Sequence, residues 1–164
     1  MNRTLTNSLI GFMLLALAGC GFHLRGSASL PDSLKTMYVQ GINLQQGLGL
    51  ELKRGLTRND VVVVEAYQEG SAVLTVLDNK YERRVLSVGS SAKVSEYSLH
   101  GWLSYKVTNG SGQVLANDQK VEAQRDYQFD QEQVLASGQE EELLRKELNQ
   151  QLVQSILRRL SALK

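Results

Sequence analysis

The stripe that most limits how this chain folds lies in its last quarter. Leu144, Leu148, Leu152, Ile156, Leu160 and Leu163 recur there at three- and four-residue intervals, with Val153 and Leu157 beside them. That spacing puts all of them on one side of an α-helix, and a helix with one apolar side needs a second layer to bury it. Ser137 and Glu140 read as a capping box, which predicts a helix start at 137. Glu140, Glu141 and Glu142 near that start, and Arg158, Arg159 and Lys164 near the end, complement the helix dipole.

The rest of the chain supplies the layer. Tyr97, Leu99, Gly101, Leu103, Tyr105 and Val107 alternate with Glu96, Ser98, His100, Ser104 and Lys106, which predicts a strand with one core face and one polar face. Trp102 interrupts the polar face, so either this chain or a partner is expected to cover it there. Residues 109–112 (NGSG) signal a hairpin, and alternation resumes from 120 to 129. Residues 61–67 and 72–88 are β-branched and aromatic and read as two further strands around a turn at 69–71, the second with a possible break at 78–79.

Upstream, 34–42 reads as a short strand. Asn43 with Gln46 suggests a second capping box ahead of Leu44, Leu48, Leu52 and Leu56. Gly47, Gly49 and Gly55 each weaken that helix by up to about 1 kcal/mol relative to alanine. Asn59-Asp60 ends it. The expected class is α+β: a two-layer sandwich of two amphipathic helices on one face of a largely antiparallel sheet of four to five strands. If strands 94–108 and 113–129 are antiparallel neighbours, loops 89–93 and 130–138 share one end, opposite 109–112.

The N-terminus is a targeting segment. Arg3 precedes the apolar run 9–17, too short to span a bilayer, and Leu17-Ala18-Gly19-Cys20 closes it with the only cysteine of the chain. This matches a bacterial lipoprotein signal, with 1–19 removed, Cys20 acylated, 20–33 an anchor and linker, and 34–164 one globular periplasmic domain. Gly21 follows the cysteine, where an aspartate would favour retention at the inner membrane, so outer-membrane delivery is expected. Composition, with 42% hydrophobic and 21% charged residues, is that of a folded chain. With Arg3 removed, basic and acidic side chains balance, which leaves no global field to recruit nucleic acid.

Catalytic chemistry has little to stand on. His23 and His100 are the only histidines, and their spacing suits neither a metal pair nor a triad. The acidic run 140–142 reads as a solvated helix start, and the Gly-x-Gly pairs at 47–49 and 110–112 lack the context of a phosphate loop. No enzyme, metal or cofactor is expected.

Cys20-Gly21-Phe22-His23-Leu24-Arg25-Gly26 goes further than a generic lipoprotein signal. Together with the Glu96-Tyr97 pair and the element order, it resembles the LPS-assembly lipoprotein LptE family, over residues 20–164; the polar C-terminal extension of some relatives is not part of this sequence. The resemblance implies partnership with the outer-membrane β-barrel LptD, a place in its lumen as a plug, and a role in delivering lipopolysaccharide to the cell surface. Alternatives are a structural accessory that stabilises its barrel without touching ligand, and an anchored auxiliary of another envelope transporter. A lipopolysaccharide ligand carries phosphates, which call for exposed basic residues at one end of the sandwich. Lys93 is the best placed, with Arg83 and Arg84 on the strand leading to it and Asp130 and Glu132 opposing them in charge.

Overall fold

In a computed structural model, which describes residues 30–89, 92–130 and 134–163, two helices lie against one five-stranded sheet. A single 3₁₀ turn, Asp32–Leu34, leads into β1 (Thr36–Gln40), α1 (Gly47–Thr57), β2 (Val62–Val64), β3 (Ala72–Val88), β4 (Val94–Thr108), β5 (Val114–Gln128) and α2 (Val134–Leu160). The signal segment, Cys20, His23 and Glu132 lie outside the described residues. Strand order is β2-β1-β3-β4-β5. β3, β4 and β5 form an antiparallel meander, while β1 runs parallel to both its neighbours.

The core lies between sheet and helices. Leu99, Leu103, Tyr105 and Val107 of β4 and Val121, Ala123 and Tyr127 of β5 are buried against Leu148, Leu152, Val153, Ile156 and Leu160 of α2, so the 3.6-residue and two-residue periods both hold. Leu48, Leu52 and Leu56 of α1 are buried with Met37 and Val39 of β1. β4 and β5 place 89–93 and 109–112 at opposite ends, with the Phe129 N–H bonded to the Ser95 carbonyl at 2.9 Å, as expected of the meander.

Four local expectations are corrected. α1 starts at Gly47, not at Asn43, because the Asn43 Oδ1 accepts from the Gln45 N–H at 2.8 Å and turns the chain before any helix begins. Gly55 is no weak point. A Cβ there would come within 2.6 Å of Val153 Cγ1, so the missing side chain is what lets α1 and α2 touch. The stretch 61–67 yields only three strand residues, since β2 is a parallel edge strand on β1 and makes no hairpin with β3. α2 begins at Val134, three residues ahead of Ser137, which is therefore inside the helix and cannot cap it.

β3 is continuous across residues 78–79, but a bulge between Val76 and Asp78 reverses its alternation. Leu74 and Val76 face the core before the bulge; Asn79, Tyr81 and Arg83, opposite Leu103, Gly101 and Leu99, face the helices after it.

Candidate interaction surfaces

That reversal decides which face each of the two adjacent arginines takes. Arg83 lies on the helix-bearing face and Arg84, paired in register with Ser98, on the other, so the sheet itself stands between their side chains. Arg83 is committed within the fold. Its guanidinium stacks 4.5 Å from the Tyr97 ring centroid and donates to Glu141 Oε2 at 3.0 Å. Tyr127 donates to the same carboxylate oxygen at 3.0 Å, and Arg145 to Oε1 at 2.8 Å. Burial works against the Glu141 charge, but the hydrogen bonds from Arg145, Tyr127 and Arg83 together hold its pKa below the usual carboxylate range. Glu141 is thus no solvated helix start; it fastens the upper part of α2 to the sheet.

Lys93 is the sequence-predicted cation that stays available. It is exposed in the β3–β4 turn, where its carbonyl accepts from the Gly89 N–H at 2.7 Å, and its ammonium makes no ion pair among the described residues. Arg84 is exposed and pairs with Glu82 at 2.9 Å. Beside them at this hairpin end, Val85, Leu86 and Val88 are each at least half exposed. Sequence reasoning took these for ordinary strand residues. A second register shift, between Val85 and Ser87, throws Leu86 out of the ladder, and three aliphatics among the last four residues of a strand are the signal the sequence carries.

Across β3, β4 and β5, the face of the sheet away from the helices carries no covering element among the described residues. On β3 it presents Asp78, Lys80, Glu82 and Arg84, on β4 Ser98, His100, Trp102 and Ser104, and on β5 Lys120, Glu122, Gln124 and Asp126. Trp102 sits half-buried between two ammoniums, with Lys80 Nζ 5.5 Å and Lys120 Nζ 5.4 Å from its ring. Lys120 pairs in turn with Glu122.

Ser98, His100 and Asp126 also meet here, the residue types of a hydrolase triad in the wrong order. The Ser98 hydroxyl lies 2.5 Å from Asp126 Oδ1 and 3.1 Å from His100 Nε2. Its one proton goes to the carboxylate, whose pKa it lowers together with Gln124. The imidazole therefore donates to Ser98 and cannot act as its base. Among the described residues no group of three or more His, Cys, Asp or Glu is placed to hold a metal ion.

A family model described as "LptE: Lipopolysaccharide-assembly" matches residues 34–160. A Photorhabdus laumondii protein named LPS-assembly lipoprotein LptE is 26% identical over 160 residues, 98% of this chain and 87% of its own length. Among solved structures, an uncharacterized lipoprotein B from Nitrosomonas europaea superposes with a TM-score of 0.69 at 30% identity, covering 87% of this chain and 91% of its own. The rare lipoprotein B from Shewanella oneidensis superposes with a TM-score of 0.67 at 27% identity, covering 77% and 94%.

Proposed function

Because this chain belongs to the LptE family of lipopolysaccharide-assembly lipoproteins, we propose that it is anchored to the outer membrane through an acylated Cys20 and plugs the lumen of its LptD β-barrel. There it assists lipopolysaccharide delivery, without catalysis of its own. The observation that carries this reading is the helix-free face of the sheet. It is a ladder of alternating charges and hydrogen-bonding groups around one half-buried indole, and a polar barrel lumen is a surface such a face can meet without burying unpaired apolar area. The chain builds its core entirely on the opposite face, so it does not need the barrel to complete its own packing.

Lipopolysaccharide is both phosphorylated and acylated, and the hairpin end offers both complements: the Lys93 ammonium and the exposed Val85, Leu86 and Val88. Arg83 is withdrawn from that role by Glu141, and Arg84 contributes from the other face. The test is affinity purification of tagged full-length protein from its own outer membrane in mild detergent. A stoichiometric large β-barrel that stays bound supports the plug. Recovery alone, or with an inner-membrane transporter, overturns it.

A further inference from the structure

The part of the helix-free face built by β1 and β2 differs from the ladder around Trp102. Register pairs Thr36 with Val62 and Tyr38 with Val64, and Met37 and Val39 are buried in the core, so Tyr38, Val62 and Val64 point away from the helices. Val73 of β3 stands beside Tyr38 on the same face. β1 and β2 place no charged side chain there. The loop after β2 folds over this corner, and its Tyr67 meets Tyr38 edge-on with ring centroids 6.3 Å apart. Even so, Tyr67 is 57% exposed and Val62 62%. An aliphatic and aromatic corner of this kind, open beside a polar ladder, calls for an occupant.

The chain enters the fold beside it. The Lys35 carbonyl, just ahead of β1, accepts from the Val62 N–H at 2.8 Å, and Leu30, five residues earlier, is already buried. Upstream of Leu30, Phe22 and Leu24 stand two positions apart, which puts both side chains on one side of an extended segment. Phe22 lies eight residues from Leu30, a reach of up to about 28 Å along the chain. Gly26-Ser27-Ala28-Ser29 between them bring no large side chain. Charge agrees as well. Arg25 follows Leu24, and the loop that holds Tyr67 carries the exposed Glu65 and Glu69, which make no ion pair among the described residues.

We propose that Phe22 and Leu24 of this same chain dock on the corner formed by Tyr38, Val62, Val64 and Tyr67, with Arg25 turned toward Glu65 and Glu69. The segment is covalently held next to the patch, at an effective concentration that a separate protein does not match. It covers the β1–β2 corner and leaves the ladder on β3, β4 and β5 open to a partner. Docking shortens the free tether between Cys20 and the fold from ten residues, 20–29, to Cys20 and Gly21 alone. The depth at which the entry end sits relative to an anchor on Cys20 is then set by this corner. That consequence rests on the acylated plug proposed above; the docking itself does not.

The test uses the mature chain from residue 20 with Cys20→Ser, without acyl group or barrel, so its failure leaves the plug reading untouched. Amide NMR spectra of this protein and of its Phe22→Ser/Leu24→Ser variant are compared; both substitutions lie ahead of Leu30 and leave every core residue in place. The proposal expects shift changes at Tyr38, Val62, Val63, Val64 and Tyr67 that do not depend on protein concentration. Changes confined to the residues next to Leu30 in sequence, or centred on another surface, would overturn it. Changes that grow with concentration would assign the corner to a second copy and overturn it equally. A second reading is disulfide trapping in the same Cys20→Ser background, with oxidised glutathione taking up the two electrons. Leu24→Cys/Tyr67→Cys is expected to close about tenfold faster than Leu24→Cys/Val114→Cys, whose exposed partner position lies at the same end of the sheet but on β5. Equal rates would contradict docking.

Discussion

Arg83 of β3 and Glu141 of α2, 58 residues apart in sequence, meet guanidinium to carboxylate at 3.0 Å where the upper part of α2 lies on the sheet. With Tyr127 and Arg145 on the same carboxylate, the pair ties the helix to two strands beyond the reach of the leucine stripe. Its strength depends on pH. The folded pKa of Glu141 lies below its unfolded value, so the stabilisation is complete above the ordinary carboxylate range and is lost as pH falls through the folded value. Glu141→Gln is expected to cost about 1–2 kcal/mol at neutral pH. The gap from wild type should close as the pH falls from the ordinary carboxylate range through the folded value. Urea unfolding of both proteins across that range checks it, and a gap that widens toward acid contradicts the assignment.

Gly55 sets the distance between the two helices. Gly55→Ala is expected to destabilise by about 1–3 kcal/mol although alanine is the better helix former, because the new methyl meets Val153 at 2.6 Å and Leu157 at 3.2 Å. In a Val153→Ala background most of that cost should vanish, a coupling that a double-mutant cycle in denaturant measures directly.

These two sites show which parts of the architecture a sequence discloses. Strict alternation from Tyr97 to Val107 and the stripe from Leu144 to Leu163 were legible because each is a local period locked to one buried face. β2 was not, because a parallel pairing with β1 across a helix leaves no local mark, and the residues after Val64 merely carry strand-forming side chains. Gly55 read as a helix breaker because its value lies in a neighbour about a hundred residues away. At the candidate site, Lys93 could be placed from hairpin connectivity alone. Alternation alone puts Arg83 and Arg84 on opposite faces, but which of them joins the helix-bearing face depends on the one-residue bulge before Asp78, which the sequence signals only as a possible break at 78–79.

Tyr105 is fully buried and its hydroxyl has no hydrogen-bond partner among the described residues, while burial raises its pKa. A buried unmatched hydroxyl adds little or costs stability, so Tyr105→Phe is expected to be neutral or stabilising by up to about 1 kcal/mol. Thermal unfolding reads the sign; a marked loss of stability would mean that the hydroxyl is satisfied in solution.

Lys93 and Arg83 should separate in a paired assay. Lys93→Glu is expected to leave unfolding unchanged and to weaken lipopolysaccharide binding by the purified mature domain several-fold, since its ammonium makes no ion pair among the described residues. Arg83→Ala should instead cost about 1–2 kcal/mol of stability through Glu141 and Tyr97. Unchanged binding in Lys93→Glu removes that residue from the ligand site.

The account stands or falls on where the helix-free face of the sheet lies. A photo-crosslinking amino acid placed at Trp102, at the centre of that face, and another at the exposed Gln154 on the helix layer give the most direct reading in intact cells. The account predicts that position 102 crosslinks efficiently to a large outer-membrane β-barrel. Crosslinks from 154 to the barrel with none from 102, or none from either position, would contradict a plug whose sheet meets the lumen.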